Sequence, residues 1–398
     1  MSDTGTPLGQ PIALASMREQ VLAWSAINSG TANLDGLAAM ASALAEAFAA
    51  LPGTVSLREP APVDAVTADG HLCPVAHGRH LVVTVRPEAA RRVLLTGHMD
   101  TVYPADHPFQ ASEWLDESRL HGPGTADMKG GIALMLAGLL AFEAGDPRLG
   151  YDVLINSDEE TGSASSASLI RELAQGKLAA LTYEPTLPGG IMARARPGSG
   201  NFSAIVTGRA AHAGRNPEEG RNAVVAAADL ALRLSHARHP ALSINPARID
   251  GGGPSNIVPA GAVLRFNLRP RGPDEAAEAQ ALMDRLVAEV AAEHDVAIRL
   301  HGSFGRPPKP IDPAAERLFA LVAAAAAELG ERLSWSDTGG VCDGNNIAAC
   351  GVPVIDTMGA RGDFIHSPQE YLDVDSLIPR ATLTALVLRR LDKGGAYP

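Results

Sequence analysis

Residues 122–142, GPGTADMKGGIALMLAGLLAF, decide the fold of this chain. From Gly130 onwards the segment is apolar and has no polar face, which predicts a helix that is buried on most of its sides. Short apolar runs before and after it predict strands at 93–96 and 152–156. Strands that alternate with buried helices are typical of a largely parallel sheet covered on both faces, so we expect an α/β protein.

Further elements extend this pattern, and an interruption divides it. Strands are also predicted at 80–85, 178–183 and 352–356, and helical segments at 12–51, 165–173 and 314–328. Between residues 198 and 303 the predicted order is strand 201–207, helix 221–234, strands 241–249 and 262–268, helix 273–293 and strand 296–300. This β-α-β-β-α-β order is the ferredoxin-like arrangement. We therefore predict a mostly parallel sheet flanked by helices, built from residues 1–197 plus 304–398, and an inserted α+β unit at 198–303.

Charge and hydropathy limit the partners of the protein. The 398 residues include 33 Lys and Arg against 45 Asp and Glu, which gives a formal net charge of −12. No basic stripe runs along the chain, so we expect neither a nucleic acid nor a membrane as a partner. The longest apolar stretch in a helical context, 132–142, is far shorter than the ~20 residues of a membrane span.

The cysteines and the first residues predict the compartment. Cys73, Cys342 and Cys350 show no C-x-x-C spacing, which indicates neither a disulfide framework nor a cysteine zinc site. They are interpreted as ordinary thiols of a reducing compartment. The residues Met1–Thr4 open neither a basic nor an apolar run, so no signal peptide is predicted and we expect a cytoplasmic protein.

Side chains that bind metals follow the predicted strands of the larger unit. His98 and Asp100 come after strand 93–96, and Asp158, Glu159 and Glu160 come after strand 152–156. Glu184 follows strand 178–183, His366 lies in the loop after strand 352–356, and Asp127 precedes the buried helix. Ligands of open α/β sheets bind beyond the carboxyl ends of the strands. We therefore expect these groups to meet in one crevice.

The chemistry of this set favours a metal site over unrelated surface residues. Taken singly, His98 and Asp100 could be an incidental pair, Glu159 and Glu160 a solvated turn, and Asp127 a helix cap. Together, two imidazoles and three carboxylates, one of them bridging, suit a pair of zinc ions. One carboxylate is then left over, and a free Glu beside the metals could act as general base and acid.

Two motifs resemble a known family. Asp127-Met128-Lys129-Gly130-Gly131 and Asp158-Glu159-Glu160 are similar to segments of the di-zinc metallopeptidases and deacylases. That family includes glutamate carboxypeptidase (carboxypeptidase G type), acetylornithine deacetylase, succinyl-diaminopimelate desuccinylase and aminoacylase. The resemblance extends from Ser29 to Tyr371, and Gly122-Pro123-Gly124 looks most like the carboxypeptidase G type.

The resemblance implies a role for each residue of the set. His98 and Glu184 would hold one zinc ion, Glu160 and His366 the other, and Asp127 would bridge the two. Asp100 would orient the ring of His98, and Glu159 would be the general base and acid. A cis peptide bond is expected after Asp127. The implied cofactor is two Zn²⁺ per subunit, with Co²⁺ or Mn²⁺ as substitutes.

The inserted unit resembles the lid and dimerisation domain of the same family. His212, in Gly208–Gly214, matches a lid histidine that polarises the scissile carbonyl and that enters the partner subunit's site in dimeric members. Asn256 and Arg269 match residues that hold the substrate carboxylate, and Gly339 and Gly340 match a substrate loop. No basic residue lies between Glu184 and Arg194, so the sequence offers no cation there for a glutamate side chain.

The function that the resemblance implies is hydrolysis of an amide bond that releases a C-terminal amino acid from a small substrate with a free carboxylate. A zinc-bridging water would attack, with Glu159 as the base. A deacetylase or desuccinylase of the acetylornithine type and a non-catalytic metal-binding homologue are the alternatives. The chain has neither the G-x-S-x-G motif of a serine hydrolase nor a nucleotide-binding loop. We expect a homodimer that pairs through the lid.

Overall fold

The structure is a computed structural model that describes residues 12–394. Its larger part is built on a six-stranded sheet, whose strands in spatial order are Thr54–Arg58, His80–Val85, Gly150–Asn156, Arg92–His98, Ala179–Thr182 and Val354–Ile355. The last four of these run parallel, and the first two are antiparallel to their neighbours. The predicted α/β fold is confirmed, while the edge strand Thr54–Arg58 was not predicted. The residues Met1–Thr4, on which no signal peptide was predicted, lie outside the described part.

Helices cover both faces of this sheet. One face packs against Leu14–Ser25, Leu34–Phe48, Gly130–Glu143, Pro313–Glu328 and Leu377–Asp392, and the other against Ala167–Ala174 and Asp343–Ala348. Neighbouring strand residues alternate between the faces, so that Val82 packs with one set of helices and Val83 with the other. This alternation explains why the strands contain continuous apolar runs.

The predicted buried helix is one of the five helices that cover the same face of the central sheet. A side chain at Gly131 would place its Cβ 2.3 Å from the carbonyl oxygen of Tyr183, so only glycine allows this helix to meet the strand end so closely. By length and composition the segment 125–143 could cross a membrane, yet 83% of its most apolar window is buried inside the protein. Its hydropathy is therefore that of a core helix.

The predicted helical segment 12–51 is divided in two. Helix Leu14–Ser25 ends before a loop, and helix Leu34–Phe48 begins at Asn33, whose side chain accepts a hydrogen bond from the backbone N–H of Gly36 at 3.1 Å. Within the loop, Gly30 approaches the backbone of Tyr103 so closely that an added Cβ would lie 2.3 Å from its carbonyl oxygen. Capping and this close contact break the helix that composition alone predicted.

The inserted part forms a second, antiparallel sheet with the strand order Leu242–Gly251, Gly261–Pro270, Ser199–Thr207 and Ala297–Arg306. Helices Ala223–His236 and Pro273–His294 pack on one face of this sheet and enclose a separate core. The β-α-β-β-α-β order and the strand arrangement are those of the predicted ferredoxin-like unit.

Two segments connect the parts, and they pair with each other. Arg196 and Lys309 exchange backbone hydrogen bonds of 3.1 and 3.0 Å. The last strand of the second sheet continues to Arg306, beyond the predicted boundary at residue 303. The boundaries of the two units stay a prediction, placed close to these paired segments.

Short strands that the sequence did not predict surround the loop with His366. A four-stranded sheet has the order Arg361–Asp363, Tyr371–Asp373, Arg119–His121 and Glu113–Trp114, and a hairpin is formed by Val63–Val66 and Leu72–Val75. Met192–Ala193 pairs with Trp335–Ser336. The four-stranded sheet places residues 364–370 beside the turn that contains Asp127, because the two strands that flank residues 364–370 are joined in it to strand Arg119–His121, which precedes that turn.

Candidate metal centre

The five predicted metal ligands form two groups that share Asp127. One group contains His98, Asp127 and Glu184, the other Asp127, Glu160 and His366, and within each group the ligand atoms lie within 4.8 Å of one another. Asp127 Oδ1 is 3.0 Å from His98 Nε2, and Asp127 Oδ2 is 3.2 Å from His366 Nε2. The two oxygens of one carboxylate therefore face the two groups, as a bridging ligand requires.

The remaining distances complete the two groups. Glu184 Oε2 lies 3.7 Å from His98 Nε2, and Glu160 Oε2 lies 3.1 Å from His366 Nε2. Each group thus offers one imidazole nitrogen and oxygens from two carboxylates. Zn²⁺ accepts such mixed ligands, as do Co²⁺ and Mn²⁺, so the residues present fit a pair of divalent ions.

The charges of the site also favour cations. Burial raises the pKa of Asp127, but hydrogen bonds with His366 and His98 outweigh burial and bring it below its usual range. Hydrogen bonds to Asp127 and Glu160 raise the pKa of His366 to about 11. Burial raises the pKa of Glu160 to about 7. Three carboxylates this close together need positive charge between them, which ring protons or metal ions can supply.

The bridging aspartate lies in an unusual turn. The peptide bond between Asp127 and Met128 is cis, as the resemblance implies. The turn is held by Glu370, which is 1% exposed and accepts hydrogen bonds from the backbone N–H groups of Ala126 and Asp127, both at 3.0 Å, and of Gly124 at 3.1 Å. The Tyr103 hydroxyl donates a fourth at 2.9 Å.

Glu370 was not predicted as a site residue. Its backbone partners lie 243 to 246 residues earlier in the chain. The only local signal is its position soon after His366, and such a spacing does not indicate which loop a carboxylate will hold. Glu370 is therefore a residue that only the tertiary structure identifies.

Asp100 contacts both halves of the site. His98 Nδ1 lies 3.0 Å from the backbone oxygen of Asp100 and 3.5 Å from its carboxylate. The same carboxylate accepts hydrogen bonds from the backbone N–H groups of Glu159 and Glu160, both at 3.1 Å, and from the Thr31 hydroxyl at 2.8 Å. Asp100 is thus placed to orient the ring and, in addition, to fix the turn that carries Glu159 and Glu160, the two predicted site carboxylates.

Glu159, the predicted base, lies in the short turn Glu159–Thr161 after a central strand. Its carboxylate accepts a hydrogen bond from Arg306 Nη2 at 2.5 Å. Burial raises the pKa of Glu159 well above its usual range, and the positive charge of Arg306 offsets part of this effect. Arg306 was not predicted as a site residue, because it belongs to the second sheet and lies 147 residues away in sequence.

A cavity of about 250 Å³ opens beside these groups, and its walls include Asp127, Glu159, Glu184, Arg196, Gly340 and His366. Arg269 Nη1 donates a hydrogen bond of 2.9 Å to the carbonyl oxygen of Gly339. Of the predicted substrate-binding residues, Gly340 lines the cavity, and Arg269 contacts Gly339, which is the residue before Gly340 in the chain.

The structure does not bring His212 and Asn256 to this cavity within the chain. Both are exposed, and they lie beside each other, since the backbone N–H of Ala213 donates to the carbonyl oxygen of Asn256 at 2.9 Å. His212 Nδ1 accepts a hydrogen bond from the backbone N–H of Gly214 at 3.1 Å. The roles expected for these two residues stay predictions.

Sequence comparison places the chain among known enzymes. The sequence model described as "Peptidase family M20/M25/M40" matches residues 94–390. The chain is 32% identical over 376 residues to Carboxypeptidase G2 of Pseudomonas sp. (strain RS-16), covering 92% of this chain and 87% of that protein. It is 31% identical over 331 residues to succinyl-diaminopimelate desuccinylase of Maricaulis maris (strain MCS10), covering 77% and 82%.

Solved structures share the fold. A tripeptidase from Staphylococcus aureus subsp. aureus mu50 matches with a TM-score of 0.75 at 23% identity, covering 96% of this chain and 100% of that chain. An M20 family metallo-carboxypeptidase from Sulfolobus solfataricus matches with a TM-score of 0.71 at 14% identity, covering 95% and 99%. The chain belongs to peptidase family M20/M25/M40 and is a metallohydrolase of the peptidase and amidohydrolase kind.

Proposed function

We propose that this protein hydrolyses an amide bond and releases a C-terminal amino acid from a small peptide or an N-acyl amino acid. The observation that carries the proposal is the shared carboxylate of Asp127 between two ligand groups, with Glu159 on the same cavity. The identity to Carboxypeptidase G2 supports release of an amino acid with a free carboxylate. The identity to a desuccinylase supports an acylated amine as the second candidate substrate.

The proposed cofactor is two Zn²⁺ per subunit, with Co²⁺ or Mn²⁺ as substitutes. His98, Glu184 and Asp127 would hold one ion, and Glu160, His366 and Asp127 the other. When bound, the ions supply Lewis acidity, which polarises a carbonyl and makes water a better nucleophile at neutral pH. The ligand set is complete, which argues against a non-catalytic homologue.

The protein's own residues would move the proton and hold the substrate. Glu159 takes a proton from the attacking water while the C–O bond to the carbonyl carbon forms, and it then delivers that proton to the amine nitrogen, whose bond to the carbonyl carbon breaks. Asp100 keeps the turn of Glu159 in place through the backbone. Arg269, next to Gly339, would bind the substrate carboxylate, because a guanidinium offers two parallel donors to it.

We propose that a second copy of the chain completes the site. His212 and Asn256 are exposed and do not line the cavity of their own chain. Their predicted roles, polarisation of the scissile carbonyl and binding of the carboxylate, therefore require a partner's cavity. The proposed assembly is a cytoplasmic homodimer that pairs through the inserted unit at 198–303, with residues 1–197 and 304–398 as the catalytic unit.

The test is hydrolysis by the zinc-reconstituted protein of N-acyl amino acids, dipeptides, N-acetylornithine and N-succinyl-diaminopimelate. We expect turnover that EDTA abolishes and whose kcat/KM follows the C-terminal residue. Turnover of only the last two substrates would favour the deacylase of acylated diamines. No turnover of any substrate with both metals bound would contradict the proposed function.

A further inference from the structure

Arg306 connects the second sheet to the proposed base. It is the last residue of strand Ala297–Arg306, and its side chain reaches across to the larger part of the molecule. Nη2 donates to the Glu159 carboxylate at 2.5 Å and to the backbone oxygen of Glu159 at 3.2 Å. One nitrogen of Arg306 therefore holds both the side chain and the backbone of Glu159.

The other terminal nitrogen of Arg306 is fixed independently. Nη1 donates to the carboxylate of Asp343 and, at 2.8 Å, to the side-chain oxygen of Asn346. Asp343 itself accepts hydrogen bonds from Ser163 at 2.6 Å and from Asn156 at 2.8 Å. The guanidinium thus joins the Glu159 turn to helix Asp343–Ala348 and, through Asp343, to the end of strand Gly150–Asn156.

Burial makes this contact strong and directional. Arg306 is 3% exposed, and the Glu159 side chain is 11% exposed. Within residues 12–394, no other side chain donates a hydrogen bond to the Glu159 carboxylate. Charged hydrogen bonds shielded from water are stronger than neutral ones, so Arg306 determines which carboxylate oxygen is engaged by the protein.

We propose that Arg306 is a positioning residue that holds Oε1 of Glu159 and leaves Oε2 for the proton of the reaction, a role that rests on the proposed function of Glu159. The residue does not touch the substrate in this role and acts through the base alone. Because it ends a strand of the second sheet, it also makes the orientation of the base depend on where that sheet sits.

The experiment compares the zinc-loaded protein with its Arg306→Met and Arg306→Lys variants. Arg194→Met is the matched control, since Arg194 lies on the other connecting segment and pairs with the surface residue Glu316. We measure kcat and KM on the best substrate of the panel, bound metal, thermal unfolding, and recovery of kcat by added guanidinium ion. Metal-loaded crystal structures of the parent and the Arg306 variants locate the Glu159 carboxylate.

A positioning role predicts that Arg306→Met lowers kcat about 100-fold, with KM and metal content close to those of the parent, because small displacements of a catalytic group cost about that much. Guanidinium ion should restore part of kcat, and Arg306→Lys should lose less than Arg306→Met. Arg194→Met should keep the parent's kcat. In the crystal, Glu159 should leave its original position.

Two results would overturn the proposal. One is a kcat of Arg306→Met within threefold of the parent, and the other is a loss explained wholly by unfolding or lost metal, without rescue by guanidinium. If Arg306→Met does not fold, Arg306→Lys decides by the same measures. A parent without any turnover would contradict the proposed function instead, and the position of Glu159 in the crystals would then test the role of Arg306.

Discussion

The edge of the central sheet and the loops of the inserted sheet present their functional residues in opposite ways. His98, Asp127 and Glu184 are largely buried, and their ligand atoms lie within 4.8 Å of one another. His98 ends a strand, and the turn of Asp127 is held by Glu370. His212 and Asn256 are exposed, and their two loops are joined by a hydrogen bond from the backbone N–H of Ala213 to the carbonyl oxygen of Asn256. The candidate metal ligands are therefore brought together within one chain, whereas His212 and Asn256 do not line the cavity of their own chain.

The difference follows from the cost of burying charge. A group of carboxylates inside a protein is tolerated only with firm hydrogen bonds and compensating cations, so its geometry has to be built into the fold. An exposed histidine carries no such constraint. Residues that would act in the site of a partner subunit can therefore remain exposed to water until the two subunits associate. We expect the two regions to respond differently to mutation.

The largest effect is expected from the buried region. Glu159→Gln keeps the size and hydrogen bonds of the side chain but removes the base, so kcat should fall by about 10²–10⁴-fold while bound metal is unchanged. Steady-state kinetics with metal analysis checks this. Glu172→Gln, at an exposed surface ion pair with Arg58, is the control. Near-normal turnover of Glu159→Gln would assign the base elsewhere.

A somewhat smaller effect is expected from the exposed region. His212→Ala should lower kcat by about 10²–10³-fold, the usual cost of losing one group that stabilises an oxyanion, without any loss of metal. Mixing His212→Ala with Glu159→Gln subunits should restore part of the activity, because hybrid dimers would contain one intact site. A mixture as inactive as its components, or a monomer by native mass spectrometry, would contradict action in trans.

Glu370→Gln tests how far the buried geometry depends on residues that bind no metal. An amide has one accepting oxygen, and its NH₂ group would face donors such as the Tyr103 hydroxyl and the backbone N–H of Gly124. The affinity for metal should fall by about 10- to 100-fold, as for other residues that support metal ligands. Calorimetric titration with Zn²⁺ measures it, and an unchanged affinity would show that the Asp127 turn holds its shape unaided.

The smallest effect is the dependence of metal affinity on pH. The pKa of His366 is raised to about 11, so without metal this ring holds its proton at neutral pH and must release it to bind an ion. The affinity for metal should therefore rise with pH. For each proton released, the binding constant should increase tenfold per pH unit, which is about 1.4 kcal/mol of binding free energy. Calorimetry in buffers of different ionisation enthalpy counts the protons, and a pH-independent affinity would contradict the assignment of His366.

Much of the larger sheet could be predicted because the apolar runs in the sequence coincide with the positions of its buried strands. Apolar runs marked the strands that end at His98 and Asn156, and the residues after them carried the ligands. The edge strand Thr54–Arg58 was missed although its polar and apolar residues alternate, because it is only five residues long and none of them is fully buried. The loop between the first two helices was missed because a contact with Tyr103, far along the chain, decides it.

Glu370 and Arg306 could not be predicted from the sequence either, because their contacts are with residues far away in the chain. Glu370 holds the Asp127 turn through backbone N–H groups, which every residue has and which leave no trace in the sequence. Arg306 ends the last strand of the second sheet, beyond the predicted boundary at residue 303, and it contacts Glu159, the proposed base, 147 residues earlier in the chain.

By itself the sequence determined the α/β fold with its ferredoxin-like insertion, the family, and a set of candidate metal ligands near strand ends, since hydrophobic periodicity and residue chemistry are local properties. Only the tertiary structure decided that Asp127 faces both ligand groups, that Arg306 donates to Glu159 and Glu370 accepts from the Asp127 turn, and that His212 does not line the cavity of its own chain. Those are distances between residues far apart in the chain, which packing alone sets.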